Sequence, residues 1–217
     1  MATFTLPNGS TISMSTGFGS ALTVSAITNA NPGVATSTAH GYADGDIVVV
    51  GTSGWANLEG RVARVDNSVT NAFDLEGIDT SSTTRYPVGA SASTTKEVTG
   101  WVQITGVLEP TGNGGEQQFW EGAPLEAQRN TRIPTTTTAA GIDLRAAYNP
   151  DASWWDYVAD AAEDREPRAV LLTLSNGAKL YYYCYVGMSV VPSLTRDQPM
   201  TVGISLSLVG DPTRYAS

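Results

Sequence analysis

The sequence predicts a mainly β protein, a sandwich or barrel with one flanking α-helix and a small inserted β-barrel-like module. Three observations carry that prediction. Near the C-terminus, Met200, Val202, Ile204, Leu206 and Leu208 alternate with Thr201, Gly203, Ser205 and Ser207, the period-2 signature of a strand with one buried face. The dipeptide Asn176-Gly177 stands between two apolar runs, where it supplies the positive φ values of a tight hairpin turn. Only one stretch has a convincing helical period.

That stretch follows Asn149-Pro150. Trp154, Tyr157, Val158, Ala161 and Ala162 fall at i, i+3, i+4, i+7 and i+8, with Ser153 placed as N-cap and Pro167 as a stop. A helix near 153–165 is expected, packing Trp154, Tyr157 and Val158 on the sheet made by strands 169–174 and 179–186. Its opposite face carries Asp156, Asp160, Glu163 and Asp164.

The first third of the chain has short strands and frequent turns. Residues 33–39, 46–51, 60–66 and 71–76 read as four strands, separated by Gly- and Asn-rich turns. They predict a small β module over 25–80 that can close into a barrel, preceded by strands in 1–24. Residues 81–97 are rich in Ser and Thr and poor in large apolar side chains, and read as a linker or solvated hairpin. The main domain begins at 98 and runs to 217.

Between 116 and 140 no clean period exists, yet Phe119, Trp120, Arg129 and Arg132 crowd a segment otherwise read as a long loop. Loops of that length inside a compact domain usually have a function. Aromatic residues and arginine are enriched at protein interfaces, so these four are expected to be subunit or ring contacts.

Composition narrows the function classes. Twenty-one acidic against twelve basic residues leave a formal charge of −9, a surface that repels nucleic-acid phosphates. The close basic pairs Arg129/Arg132 and Arg165/Arg168 have acids nearby, which argues against sequence-specific DNA binding. The single cysteine, Cys184, lies in an apolar run and reads as a small core residue. The N-terminus shows no basic segment followed by an apolar core, and no apolar run reaches spanning length; a soluble, unsecreted protein without membrane association is expected.

Catalytic and metal chemistry find few parts. His40 is the only histidine, and no Gly-x-Ser-x-Gly elbow surrounds a serine. Neither Asp44/Asp46 nor the acidic helix face has the alternating ligands of a calcium loop. The glycines at 112, 114 and 115 lack the Lys-Ser/Thr of a phosphate cradle and read as turn residues. No catalytic residue, metal ligand or cofactor is therefore expected. The rival reading is a carbohydrate-binding or adhesion module on a virion or cell surface, using Trp154, Trp155 and the tyrosines of 181–185 as a stacking platform.

From Glu97 onward the order of pieces resembles the major tail tube proteins of long, flexible-tailed bacteriophages. The pieces are Val98-Thr99-Gly100-Trp101 leading a strand, the loop Gly114-Gly115-Glu116-Gln117-Gln118-Phe119-Trp120, the helix, the Asn176-Gly177 hairpin, and the closing strand before Gly210-Asp211-Pro212. The section from Ile27 to Val48, continued by Leu58-Glu59-Gly60-Arg61-Val62, is similar to a small β module inserted in several phage virion proteins. The resemblance implies a structural virion protein that self-assembles into stacked rings, usually hexameric, forming a tail tube for DNA ejection. It implies a homo-oligomer in the virion tail, assembled in the host cytoplasm, whose neighbours are tail proteins such as the tape measure and tail tip. DNA passes through the lumen without specific binding.

Overall fold

The computed structural model describes residues 8–89, 91–189 and 191–216. Residues 1–7, which include the start of the expected first strands and the N-terminal segment read as lacking a leader, lie outside the described residues. Among the described residues sixteen strands and one helix are arranged as an antiparallel system, so the mainly β class with a flanking helix holds.

The body is built from β1 (Thr11–Phe18), the second half of β8 (Ser93–Ile104), β9 (Val107–Asn113), β12 (Gly141–Ala147), β13 (Arg168–Thr173), β14 (Lys179–Met188) and β15 (Thr201–Leu208). They hydrogen-bond in the order β8-β1-β13-β14-β15-β12-β9, and β16 (Thr213–Tyr215) adds to β14. Register puts the alternating apolar residues side by side: Ile204 stands between Leu144 and Met188, and Leu206 between Ile142 and Val186. One face of these strands forms the core with Met14, Ile104 and Val170.

Helix α1 (Trp155–Asp164) closes that core against β14. Trp154, Val158 and Ala161 are buried within it, and the Trp154 indole N–H donates to Thr105 Oγ1 at 3.1 Å. Two expectations need correction. Trp154, not Ser153, occupies the N-cap position, without a side-chain cap, and Arg165 in the left-handed region (φ 58°) ends the helix. Tyr157 is 44% exposed rather than packed on the sheet. The buried stripe is narrow, at i, i+4 and i+7 from Trp154, and Tyr157 falls on its shoulder.

The early strands are β2 (Leu22–Val24), β3 (Ala26–Ile27), β4 (Gly33–Thr36), β5 (Ile47–Ser53), β6 (Val62–Val69) and β7 (Ala72–Glu76). They follow the order β3-β4-β7-β6-β5-β8 around a second core that includes Val48, Trp55, Leu58, Phe73, Leu75 and Tyr86. Strand β8 is common to both regions: its first half pairs with β2 and β5, its second half with β1.

Residues 81–97 are accordingly not a free linker. Tyr86 is buried beside Trp55, whose indole N–H donates to Pro87 O at 2.7 Å, and 93–97 belong to β8. Their polarity hides this because Ser93 and Thr95 are buried with hydroxyl partners, Ser53 Oγ at 2.9 Å and Tyr42 Oη at 3.1 Å. A buried hydroxyl with a partner costs little, so composition alone does not report its position.

A third apolar cluster joins the two regions through Val49, Val62, Val98, Ala169, Tyr181 and Tyr215. Tyr215 is its fastener. Its hydroxyl accepts from the Arg64 N–H at 2.7 Å and donates to Glu76 O at 2.7 Å, while the Arg64 guanidinium lies 4.6 Å from the ring centroid and pairs with Glu76.

A candidate assembly arm

The segment 116–140, expected to be a loop, is a two-stranded hairpin made of β10 (Gln117–Gly122) and β11 (Thr131–Thr137). It has no helical or strand-like burial period because nearly every residue in it is exposed. Pairing rests on backbone hydrogen bonds and on the strand propensity of threonine.

The arm continues the β9–β12 edge past a bend at Gly114-Gly115. Both glycines have positive φ (69° and 78°), and a Cβ on Gly114 would sit 1.9 Å from the Ala139 carbonyl oxygen. Only glycine fits that close approach, so the pair that reads as turn residues in sequence sets the direction of the arm.

Register sorts the arm's side chains onto two faces. Phe119, Glu121 and Arg132 share one: the Arg132 guanidinium lies 4.2 Å over the Phe119 ring, and its Nε is 2.9 Å from Glu121 Oε1. Trp120 and Ile133 stand opposite each other on the second face, with the indole lying over Gly122. Phe119, Trp120 and Ile133 remain 44–54% exposed, and Leu125 in the connecting turn is fully exposed. Arg129, also exposed in that turn, makes no ion pair among the described residues. The structure thus brings Phe119 and Arg132 into contact and places Trp120 and Arg129 elsewhere on the same arm. Ile133, apolar in the sequence but not among the four expected contacts, joins Trp120 on the second face, and the glycines expected to be turn residues set the bend.

A second surface is the uncovered face of β9, β12 and β15. Thr111, Asp143 and Ser205 form one row across the strands, and Glu109, Arg145 and Gly203 form the next, all exposed. The side chains are polar or, at Gly203, absent, with a single opposed pair of charges in Glu109 and Arg145, and the opposite face of β12 and β15 carries the core.

The remaining chemical candidates are engaged in structure. His40 is buried, with Nε2 donating to Val69 O at 2.7 Å and Nδ1 accepting from the Tyr42 N–H at 3.1 Å. Cys184 is wholly buried, and burial pushes its thiol up to about 12, which keeps it protonated and inert at neutral pH. Trp154 and Tyr181 lie in cores, so they do not form the exposed platform that a sugar would stack on. Among the described residues no group of three His, Cys, Asp or Glu is placed to hold a metal ion, and no helix is long and apolar enough to cross a membrane.

No curated protein is a significant match to the chain. Among solved structures it is similar to a chain in the tail of an empty gene transfer agent particle refined with C6 symmetry, at TM-score 0.43 and 13% identity over 54% of this chain and 89% of that one. It is similar to a chain in the virion of a native gene transfer agent particle at TM-score 0.42 and 11% identity, with the same coverages. A chain in the six-fold symmetrised baseplate of the anti-feeding prophage gives TM-score 0.37 and 8% identity over 81% of this chain and 95% of that one. The model of the family described as phage tail tube protein, TTP, matches residues 53–217. Because that match covers well over half of the chain, from the end of β5 through the arm, the helix and the closing strands, this protein belongs to the phage tail tube proteins and is a structural component of a virion tail.

Proposed function

We propose that the protein assembles with copies of itself into rings that stack as the wall of a tail tube, through which DNA passes during ejection without being held. The observation that carries this reading is the arm: a hairpin with exposed Phe119, Trp120 and Ile133 gains little by standing in water and much by contact with a neighbour. Six copies per ring is the number the sequence resemblance implies. The role is mechanical and needs no catalytic residue, in keeping with the engaged state of His40 and Cys184. The protein acts in the virion tail after assembly in the host cytoplasm, against partners such as tape measure and tail tip proteins.

In this reading the polar face of β9, β12 and β15 lines the channel. A conduit must not retain its cargo, and a chain with formal charge −9 repels phosphates rather than displacing their counterions to bind them. The module around β4–β7 sits at the periphery of the ring, fastened by Tyr215. Phe119, Trp120, Arg129 and Arg132 are the proposed subunit contacts. Negative-stain electron microscopy of the concentrated protein tests the reading. Rings or tubes with a central hole are expected; a strictly monomeric sedimentation profile across concentration and salt, with no tubes on a nucleating tail tip, contradicts it.

A further inference from the structure

The tip of the arm presents a matched pair of groups without a seat in their own copy. Leu125 is 104% exposed, and Arg129, four residues on, has no ion pair among the described residues. The other cation of the arm, Arg132, is already held by Glu121 and Phe119. A partner for the tip must therefore offer an apolar hollow with an acidic rim.

One groove on the body offers both. A groove of about 410 Å³ runs between α1 and β14, lined by Trp155, Ala159, Ala162, Glu163 and Met188. Its floor of two alanines leaves room for a branched aliphatic side chain, and the methionine adapts to what enters. On its rim Glu163, with Asp160 one helical turn earlier, carries negative charge. The neighbouring Asp164 is already paired with Arg168, whereas Asp160 and Glu163 have no ion pair among the described residues. A second apolar groove, of about 430 Å³ beside Ile12, Val107, Leu108 and Leu172, has no ionisable residue in its lining and offers Arg129 no counter-charge.

We propose that the arm tip of one copy docks in the α1–β14 groove of a second copy, Leu125 in the hollow and Arg129 against Glu163 and Asp160. This rests on the reading of the arm as an assembly contact. It gives the acidic face of the helix a task beyond solubility, and it makes the contact heterologous, as stacking requires. Charge complementarity of this kind fixes register and rejects wrong docking.

Charge reversal tests it. Arg129→Glu and Glu163→Arg should each raise the protein concentration needed for tube formation about tenfold or more, and the double variant should recover it. Both positions are exposed, and melting temperatures of the unassembled proteins check that folding is intact. Independently, Leu125→Cys combined with Ala159→Cys should give an intermolecular disulfide ladder when tubes are oxidised, with buried Cys184 taking no part. Rescue or the ladder supports the docking. If neither is seen while deletion of 119–132 abolishes tubes, the groove is wrong and the contact arm stands. If that deletion leaves tubes intact, the arm reading falls and the docking with it.

Discussion

The hairpin β13–β14 and the hairpin β10–β11 share a backbone design and differ in everything around it. The first turns at Asn176-Gly177, puts Val170, Cys184 and Val186 into the core, and is covered by α1. The second turns through 123–130, pairs with no other strand among the described residues, and leaves Phe119, Trp120 and Ile133 in solvent. An isolated two-stranded hairpin is marginal in water, and in the proposed assembly a neighbouring copy supplies the support that the body does not. The body's apolar side chains are buried in a core, whereas the arm's are exposed, which the proposed function assigns to association.

Substitutions should separate the two roles. The largest loss is expected for Trp154→Ala, about 3–5 kcal/mol from lost transfer energy and the cavity left behind, read by chemical denaturation. A small loss there would mean the core is not closed by the helix. Tyr215→Phe removes a hydroxyl that bridges Arg64 and Glu76, and should cost about 1–3 kcal/mol, with faster hydrogen exchange along β6 and β7 as its local mark.

Tyr215 also gives the fastening a pH limit. Burial raises its phenol from 10.0 to about 12, so the folded state favours the protonated form. Its contribution is complete below pH 10 and is lost as pH rises through about 12. Tyr183, likewise pushed up to about 12 by burial, titrates in the same window. Alkaline unfolding curves of Tyr215→Phe and the parent should therefore converge above that window, and parallel curves would show that Tyr215 is not the titrating fastener.

Smaller effects are expected toward the surface. Gly114→Ala puts a Cβ against a carbonyl in a left-handed backbone and forces the bend to shift; the exposed arm takes up that shift, so a larger effect on assembly than on melting is expected. Asp160→Ala, on the exposed face of α1, should change stability by no more than about 0.5 kcal/mol. A larger change in unassembled protein would mean that the acidic face is already engaged within its own copy.

What was legible in sequence follows the same division. Where burial selects one face, the pattern shows: Val202, Ile204 and Leu206 announced β15, and Trp154, Val158 and Ala161 announced α1. Tyr157 shares the helical period but not the burial, because period marks a sector and packing uses only its middle. Where residues are all exposed, as in β10 and β11, no alternation exists to read, and the strands looked like loop. Where polar residues are buried with partners, as at Ser93 and Thr95 in β8, the pattern misleads in the other direction. The Tyr215 fastening joins residues more than a hundred positions apart, a distance over which one sequence carries no local signal. For the arm, the kinds of residue were legible and their placement was not: Phe119 and Arg132 meet only through the β10–β11 register.

The most direct test of the division between body and arm is tube formation by the protein lacking residues 119–132, followed by electron microscopy alongside its thermal unfolding. The account predicts a body that unfolds cooperatively, close to the parent in stability, and forms no tubes at any concentration at which the parent does. Normal tubes from the shortened protein would contradict it.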